Sequence, residues 1–247
     1  MKANYLFWVI LSILIMVSLP SQAFARDPGI PDTVRIGQCS YYLSGPPYEG
    51  TIVLPLLVSH DEYLVHLDIP LKWSGPMACD SAKFVGERLQ YFDNWNIPIF
   101  PTIQTVYPWA YTLSGSDPIP PGEGILAYLY FSITDTGFVS LDSTDLPGKG
   151  EAYLHFMDET ILVVNPQMVE WECHIVAGVP GDVTGDGQVE LGDVVFLINY
   201  LYKQGSPPET EELGDVNGDG IIDLGDVVYL INYLYREGPA PLIGCTH

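Results

Sequence analysis

Short apolar or alternating runs, rich in β-branched and aromatic residues, recur along the first three quarters of the chain between Gly, Pro, Asn and Asp turn signals. The runs are 34–43, 51–58, 62–73, 81–92, 103–113, 124–134, 137–142, 151–156, 160–164 and 168–176. Their length and spacing are typical of antiparallel strands in two packed sheets. We therefore predict a mainly β protein with one antiparallel β-sandwich over residues 30–177.

The pattern changes after residue 178. Two runs, VVFLINYLYK after Asp193 and VVYLINYLYR after Asp226, are long enough for about three helical turns each. Gly205 and Gly238 end them, with Pro close behind, as is common at helix ends. Asn199 is the only clearly polar residue in the first predicted helix between positions 194 and 202. A helix that is apolar nearly all round is normally buried on more than one side.

The two predicted helices cannot bury each other completely, because a module of about 60 residues has too little interior. One apolar stripe of each helix can meet its counterpart; these stripes are Val194, Leu197 and Leu201, and Val227, Leu230 and Leu234. The opposite stripes need cover; they are Val195, Ile198 and Tyr202, and Val228, Ile231 and Tyr235. That cover is either the N-terminal domain of the same chain or a separate protein.

Each predicted helix follows one of two near-identical loops, 182–193 and 215–226, which are spaced 33 residues apart. A calcium loop takes oxygen ligands from positions 1, 3, 5, 7, 9 and 12 and needs Gly at position 6. Both loops supply this pattern, with position 7 contributing a backbone carbonyl. The predicted ligands are Asp182, Thr184, Asp186, Gln188, Glu190 and Asp193 in the first loop, and Asp215, Asn217, Asp219, Ile221, Asp223 and Asp226 in the second. We predict two bound Ca²⁺ ions.

Residues 181–241 resemble a type I dockerin, a small all-α module (an F-hand) of duplicated calcium loops and helices that joins secreted bacterial proteins to cohesin modules. The Asp at position 12, where ordinary EF-hands have Glu, agrees with this resemblance. The resemblance implies a cohesin-type partner and contacts from loop positions 10 and 11 and from the helices. On this chain these are Leu191, Gly192, Ile198, Asn199, Lys203, Leu224, Gly225, Ile231, Asn232 and Arg236. The best-known cellulosomal dockerins carry hydroxyl residues at positions 10 and 11, whereas this chain has Leu-Gly.

The predicted sandwich resembles a cohesin. The resemblance is carried by the order of the segments VRIG, GTIVLPLLVS, YLVHLDIPLKW and GEGILAYLYFSITDTGFVSLD. It implies a cohesin-like sandwich of the jelly-roll type. If so, the N-terminal domain of one copy could bind the C-terminal module of another, and such head-to-tail contacts form chains or rings.

The first residues have the layout of a signal peptide: Lys2, an apolar run over 5–19, Pro20, and a small-x-small pattern over 23–25. We predict cleavage after Ala25 and a secreted or cell-surface protein. An uncleaved membrane anchor is the alternative, although the apolar run is short for a membrane span. No later segment is long and apolar enough to span a membrane.

The predicted organisation is a signal peptide at 1–25, a sandwich at 30–177, and a module at 178–247 with repeats 182–205 and 215–238.

Charge and cysteine content narrow the possible partners and sites. The net charge of −22, from 31 acidic and 9 basic residues, disfavours nucleic acid and anionic membranes as partners. The four cysteines, Cys39, Cys79, Cys173 and Cys245, allow three disulfide pairings. If residues 34–42 and 169–176 form neighbouring strands, Cys39 pairs with Cys173. No CxxC spacing occurs and the histidines are scattered, so the sequence predicts no zinc site.

No catalytic motif is recognisable: the chain lacks GxSxG, HExxH and a phosphate-binding Gly loop. We therefore expect a non-enzymatic assembly protein. The main alternative is a carbohydrate-binding or adhesion protein tethered through its C-terminal module. Trp95, Tyr107, Trp109 and Tyr111 could stack on sugar rings, although packing within the domain explains such a group more often.

Overall fold

The computed structural model describes residues 29–43, 49–113, 116–146 and 153–245, so the predicted signal peptide lies outside the described residues. The N-terminal part is built of β-strands and the C-terminal part of helices. The strands are β1 (Thr33–Ile36), β2 (Ser40–Leu43), β3 (Gly50–His60), β4 (Leu64–Asp68), β5 (Leu71–Ser74), β6 (Met77–Phe84), β7 (Asn94–Asn96), β8 (Ile99–Phe100), β9 (Thr105–Val106), β10 (Trp109–Tyr111), β11 (Gly122–Ile133), β12 (Gly137–Ser143), β13 (His155–Asp158), β14 (Val163–Val164), β15 (Gln167–Met168), β16 (Trp171–Ile175) and β17 (Ile243–Gly244). The helices are α1 (Leu191–Lys203), α2 (Glu211–Gly214) and α3 (Leu224–Arg236), with two short 3₁₀ turns at Glu87–Tyr91 and Pro101–Ile103.

The first layer of the sandwich is a seven-stranded sheet in the order β15, β1, β3, β11, β6, with β2 paired to β3 and β17 paired to β2. Its two long central strands, β3 and β11, pair antiparallel along their whole length. Inward and outward residues alternate in β3: Leu54 and Leu56 are fully buried, whereas Thr51 and Val53 are exposed. That alternation is expected where one face of a sheet covers the core. The pairing of β1 with β15 is parallel.

The second layer consists of two five-stranded sheets, β14-β13-β4-β10-β7 and β16-β12-β5-β9-β8. They meet along a line where Pro70, Pro98 and Pro108 interrupt neighbouring strands. Proline has no N–H to donate to a sheet, so each one interrupts the regular ladder. Backbone bonds still cross the interruption, from Ile69 N–H to the Pro108 carbonyl (2.9 Å) and from Tyr107 N–H to the Pro98 carbonyl (2.9 Å). The two sheets are therefore joined by backbone hydrogen bonds into one layer.

The two layers enclose a single hydrophobic core that contains residues of all three sheets. Trp73 on β5 packs edge-on against Phe131 on β11, with ring centroids 5.7 Å apart. The edge-to-face arrangement is favourable for two aromatic rings. The structure thus confirms a mainly β sandwich followed by a small helical module.

The disulfide joins Cys173 to Cys245, and Cys39 and Cys79 are free and buried. The predicted pairing of Cys39 with Cys173 was therefore wrong. Its premise fails, because β16 pairs with β12 and not with β1 or β2. The chain end instead returns to the sandwich as β17, which pairs with β2 and places the Cys245 N–H 3.4 Å from the Cys39 carbonyl.

In the C-terminal module, α1 packs against α3 over a small core of matched residues from the two repeats. The fully or nearly fully buried members are Val183, Val194 and Leu197 of the first repeat and Val216, Val227 and Leu230 of the second. The short helix α2 precedes the second loop, while the first loop follows a turn. Within the part of the chain that the structure describes, no helix is long and apolar enough to cross a membrane.

Candidate functional site

The two loops fold around the carboxylate at their first position. Asp182 accepts backbone N–H groups of the three residues that follow Thr184, with donor–acceptor distances of 2.7 to 3.1 Å. Asp215 does the same in the second loop, at 2.7 to 3.1 Å. The sharp turn places Gly187 and Gly220 at φ +88°, where a side chain would be strained. The predicted role of Gly at position 6 is thus visible in the backbone.

The carboxylate at position 12 closes each loop. Asp193 accepts the N–H groups of Val183 (2.9 Å), Thr184 (3.0 Å) and Glu190 (2.8 Å). The bond from Glu190 is also half of a capping box at the start of α1, so one carboxylate links the loop entrance to the helix. Asp193 is fully buried.

The second loop repeats this closure almost atom for atom. Asp226 accepts the N–H groups of Val216 (2.9 Å), Asn217 (3.3 Å) and Asp223 (2.8 Å) and is also fully buried. Because the same network forms twice from different residues, it is a property of the loop pattern and not of one local environment.

The remaining predicted ligand positions lie around the rim. The side chains of Asp186 and Asp219 accept the N–H groups of Gln188 (2.9 Å) and Ile221 (3.0 Å), which fixes the middle of each loop. The Asn217 amide donates to Asp219 at 2.9 Å. All predicted side-chain ligands offer oxygen, which suits a hard cation such as Ca²⁺.

The charge distribution of the loops also favours a cation. Burial raises the pKa of Asp215, and the nearby Asp219 carboxylate raises it further. Burial likewise raises the pKa of Asp226, with a contribution from Asp215. Neither loop gathers three acidic side chains within 4.8 Å of one another in the described residues. A cation would have to draw the rim side chains inward, and its charge would offset the carboxylate repulsion that opposes this.

The outward faces of the two long helices are solvent-exposed. We call Val195, Ile198 and Tyr202 the α1 face, and Val228, Ile231 and Tyr235 the α3 face. Each face has one valine about half exposed and one tyrosine 63 % exposed, while its isoleucine is partly buried. The described part of the N-terminal domain does not cover them. The other predicted contact residues divide similarly: Leu191, Gly192, Lys203, Leu224, Gly225 and Arg236 are exposed, and Asn199 and Asn232 are partly buried.

The module contacts the sandwich on another side. His174 Nδ1 lies 2.8 Å from Glu212 Oε1 on α2, and the Gln38 amide donates to the Gly218 carbonyl at 3.4 Å. The Cys173–Cys245 disulfide and the pairing of β17 with β2 hold the C-terminal segment against the sandwich. The module is therefore anchored through α2, the second loop and the chain end, which leaves both helix faces free.

The aromatic residues considered for sugar stacking do not form one flat platform. Trp109 and Tyr111 stack on each other with centroids 5.9 Å apart, and the Tyr107 hydroxyl donates to Asp68. Trp95 is 48 % exposed on the neighbouring strand β7. Packing thus accounts for three of the four residues, and Trp95 remains available to solvent.

The structure brings together a group that the sequence prediction missed. Ligand atoms of His66, Asp68 and His155 all lie within 4.8 Å of one another on the outer face of the sandwich. Scattered histidines had predicted no zinc site, but β4 pairs with β13 so that His155 stands directly opposite Asp68. The His-x-Asp spacing places His66 and Asp68 on one face of a strand, which is the signal available in the sequence.

Comparison with known proteins agrees with the predicted resemblances. Residues 180–235 match the family described as Dockerin type I domain. No curated protein matches the chain. The sandwich is similar to the seventh ScaB type I cohesin from Pseudobacteroides cellulosolvens, at 13 % identity, 60 % of this chain, 94 % of that chain and a TM-score of 0.47.

A non-cellulosomal cohesin from the hyperthermophilic archaeon Archaeoglobus fulgidus is similar at 14 % identity, 60 % of this chain, 92 % of that chain and a TM-score of 0.42. A type II cohesin domain from the cellulosome of Acetivibrio cellulolyticus is similar at 9 % identity, 56 % of this chain, 92 % of that chain and a TM-score of 0.43. At these values the similarity describes a general strand arrangement and implies no shared activity.

Proposed function

We propose that residues 178–247 form a calcium-dependent docking module of a secreted protein, and that this module binds a cohesin-type protein module. The observation that carries the proposal is the repeated arrangement itself: two loops with the same hydrogen-bond network, each leading into a helix with an exposed apolar face.

The calcium part of the proposal rests on the oxygen side chains of the loops. Asp182, Thr184, Asp186, Glu190 and Asp193, with the Gln188 carbonyl, would hold one ion. Asp215, Asn217, Asp219, Asp223 and Asp226, with the Ile221 carbonyl, would hold the other. Bound Ca²⁺ supplies positive charge that offsets repulsion among these carboxylates. The chain's own contribution is the frame of backbone N–H groups that orients the carboxylates at positions 1 and 12.

The docking part of the proposal rests on the exposed α1 and α3 faces. Apolar side chains gathered on one surface of a soluble module are typical of a protein contact site. Tyr202 and Tyr235 are each 63 % exposed, and tyrosine is enriched where partners meet. Polar and charged ends border each face, with Lys203 and Arg236 in the last helical turns. An apolar centre with a polar rim is the usual anatomy of an interface.

The partner we propose is a cohesin-type module, either of another protein or of a second copy of this chain. The dockerin match over residues 180–235 supports the first. The second follows if the sandwich itself accepts the helices, in which case the protein would assemble head to tail. Secretion is part of the proposal because extracellular calcium is abundant enough to fill weak sites.

Isothermal titration calorimetry of the full chain with purified type I cohesin modules tests the docking proposal. We expect binding in calcium and none in chelator, and no binding by Asp182→Asn combined with Asp215→Asn. Asp135→Asn, an exposed aspartate outside the loops, is the matched control and should bind normally. Failure of every cohesin to bind in calcium would reject a cohesin partner. Sedimentation velocity over a concentration series then reports self-association.

Carbohydrate is a second candidate partner, supported by the ring of Trp95, which is 48 % exposed on the edge strand β7. An open aromatic face on an edge strand suits a sugar ring. Glycan-array binding that is lost in Trp95→Ala and kept in Tyr63→Ala, whose ring is similarly exposed, would support it. Equal signals from both variants would reject Trp95 as the contact.

A further inference from the structure

The group formed by His66, Asp68 and His155 lies on the outer face of the sandwich, where no aspect of the docking proposal uses it. His66 Nε2 is 2.6 Å from Asp68 Oδ2, and His155 Nε2 is 3.5 Å from the same oxygen. The donor set is two imidazole nitrogens and one carboxylate oxygen. All three side chains converge on one point from adjacent strands.

The hydrogen bonds behind these side chains fix their orientation. The second ring nitrogen of His155, Nδ1, lies 2.9 Å from the Tyr153 carbonyl. A carbonyl can only accept, so Nδ1 carries a hydrogen, and Nε2 is the His155 atom that faces Asp68. The other carboxylate oxygen of Asp68 accepts the Tyr107 hydroxyl. Metal-binding histidines and carboxylates are typically held from behind in this way.

The Nε2 atom of His155 and the Asp68 carboxylate meet in a buried place. His155 is 3 % exposed and Asp68 is 7 % exposed, so water is largely excluded from both groups. The two atoms, His155 Nε2 and Asp68 Oδ2, lie 3.5 Å apart. A metal ion bound at this point would accept an electron pair from each of them.

We propose that His66, Asp68 and His155 bind one divalent first-row transition-metal ion, such as Zn²⁺. Imidazole suits these ions, whereas Ca²⁺ prefers oxygen ligands alone. Tetrahedral ligands at about 2.0 to 2.2 Å from a common ion stand roughly 3.3 to 3.6 Å apart. The His155–Asp68 separation of 3.5 Å fits this value, and the His66–Asp68 separation of 2.6 Å would lengthen when the ion binds. Three protein ligands leave a coordination position open, and the partly exposed side of His66 is where solvent or a ligand would reach it.

The surroundings extend the site into a row of rings. Tyr111 stacks on His66 at 6.4 Å, and His66 stacks on His155 at 5.4 Å between ring centroids. Trp109 stacks on Tyr111 at 5.9 Å. The open position therefore adjoins stacked aromatic rings, which favour a ligand with one metal-binding atom and one flat apolar part.

The test uses the full chain purified without a polyhistidine tag, in enough CaCl₂ to fill oxygen-only sites. Titration with ZnCl₂ against a chromophoric chelator should give one Zn²⁺ per chain. His66→Gln should lower the affinity by more than about 100-fold, beyond the roughly 10- to 100-fold cost of losing an outer-shell partner. Tyr107→Phe should lower the Zn²⁺ affinity about 10-fold, because it removes the hydroxyl that donates to Asp68. His174→Gln is the matched control, since His174 lies outside the group, and should bind like wild type.

A spectroscopic measurement on the wild-type chain covers the case in which a variant fails to fold. The paramagnetic resonance spectrum of one bound Cu²⁺ should show coupling to two nitrogens. Coupling to no nitrogen would overturn the proposal, as would equal Zn²⁺ affinity of wild type and folded His66→Gln. Zn²⁺ binding that disappears only in Asp182→Asn combined with Asp215→Asn would assign the ion to the loops and also reject the site.

Discussion

Cys173 and Cys245 form a disulfide that joins the last long strand of the sandwich to the segment following the final helix. The bridge spans 72 residues and encloses the loops 182–193 and 215–226 and all three helices. The C-terminal module is thus fastened at both ends to the sandwich instead of hanging from a single linker.

The bridge should contribute strongly to stability. In the chain-entropy model, closing a loop of this length in the unfolded state is worth about 4 kcal/mol. Cys245→Ser should therefore lower the free energy of unfolding by about 2 to 4 kcal/mol, measured by urea denaturation followed by circular dichroism. Cys79→Ser removes a free cysteine and is the control. If both variants unfold at the same urea concentration, the bridge does not stabilise the chain.

The carboxylates at loop position 12 should contribute more to the stability of the module than other acidic side chains do. Asp193→Ala leaves three backbone N–H groups without an acceptor, which should destabilise the module by about 3 kcal/mol even in chelator. Asp226→Ala should destabilise the module by a similar amount, because Asp226 accepts the matching N–H groups in the second loop. The control Asp135→Ala removes an exposed carboxylate that accepts one neighbouring N–H, and should change stability by less than about 0.5 kcal/mol. Thermal melts followed by circular dichroism at 222 nm measure the stability of each variant. Equal melting temperatures of Asp193→Ala and Asp135→Ala in chelator would contradict the predicted role of the Asp193 hydrogen bonds.

His60 should make the sandwich sensitive to acid. Burial lowers the pKa of His60 to about 4, and the Arg88 guanidinium, 2.6 Å away, also opposes a second proton. The unfolded chain binds that proton near the ordinary His pKa of about 6.5. Between these values the unfolded state holds more protons, so stability is full above about pH 6.5 and is lost as the pH falls toward 4.

The expected loss from His60 is about 3 kcal/mol across this window. Urea denaturation at several pH values, with calcium present, measures it. His60→Gln should flatten that part of the profile, whereas His174→Gln should not, because His174 is only partly buried and pairs with Glu212 at the surface of the sandwich. An unchanged profile in a folded His60→Gln variant would remove His60 as the cause.

The two helix faces should substitute for each other. Val195→Asp on the α1 face or Val228→Asp on the α3 face should weaken cohesin binding only about twofold, because either repeat could dock after a half-turn. The two substitutions together should abolish binding. Ile103→Asp, on an exposed 3₁₀ turn of the sandwich, is the control. A complete loss of binding in one single variant would show that only one face docks.

The local features of the module could be predicted from sequence because short-range chemistry governs them. Asp at positions 1 and 12 with Gly at position 6 dictates how the loop backbone turns, and Gly187 and Gly220 adopt the required positive φ. The apolar pattern of the helices also separated buried Leu197 and Leu230 from exposed Tyr202 and Tyr235. These outcomes depend on residues within about one loop and one helix.

Sequence by itself therefore determined the class of the sandwich, the duplicated loop-helix units and the helix side that packs inside the module. Only the tertiary structure decided that Cys173 meets Cys245, that two sheets join across prolines into one layer, and that His155 lies opposite Asp68. The physical reason is that these features depend on pairing between strands that are far apart in the sequence. Which strands become neighbours depends on how the whole core packs, and the alternation of apolar and polar residues in one strand does not identify the strand that pairs with it.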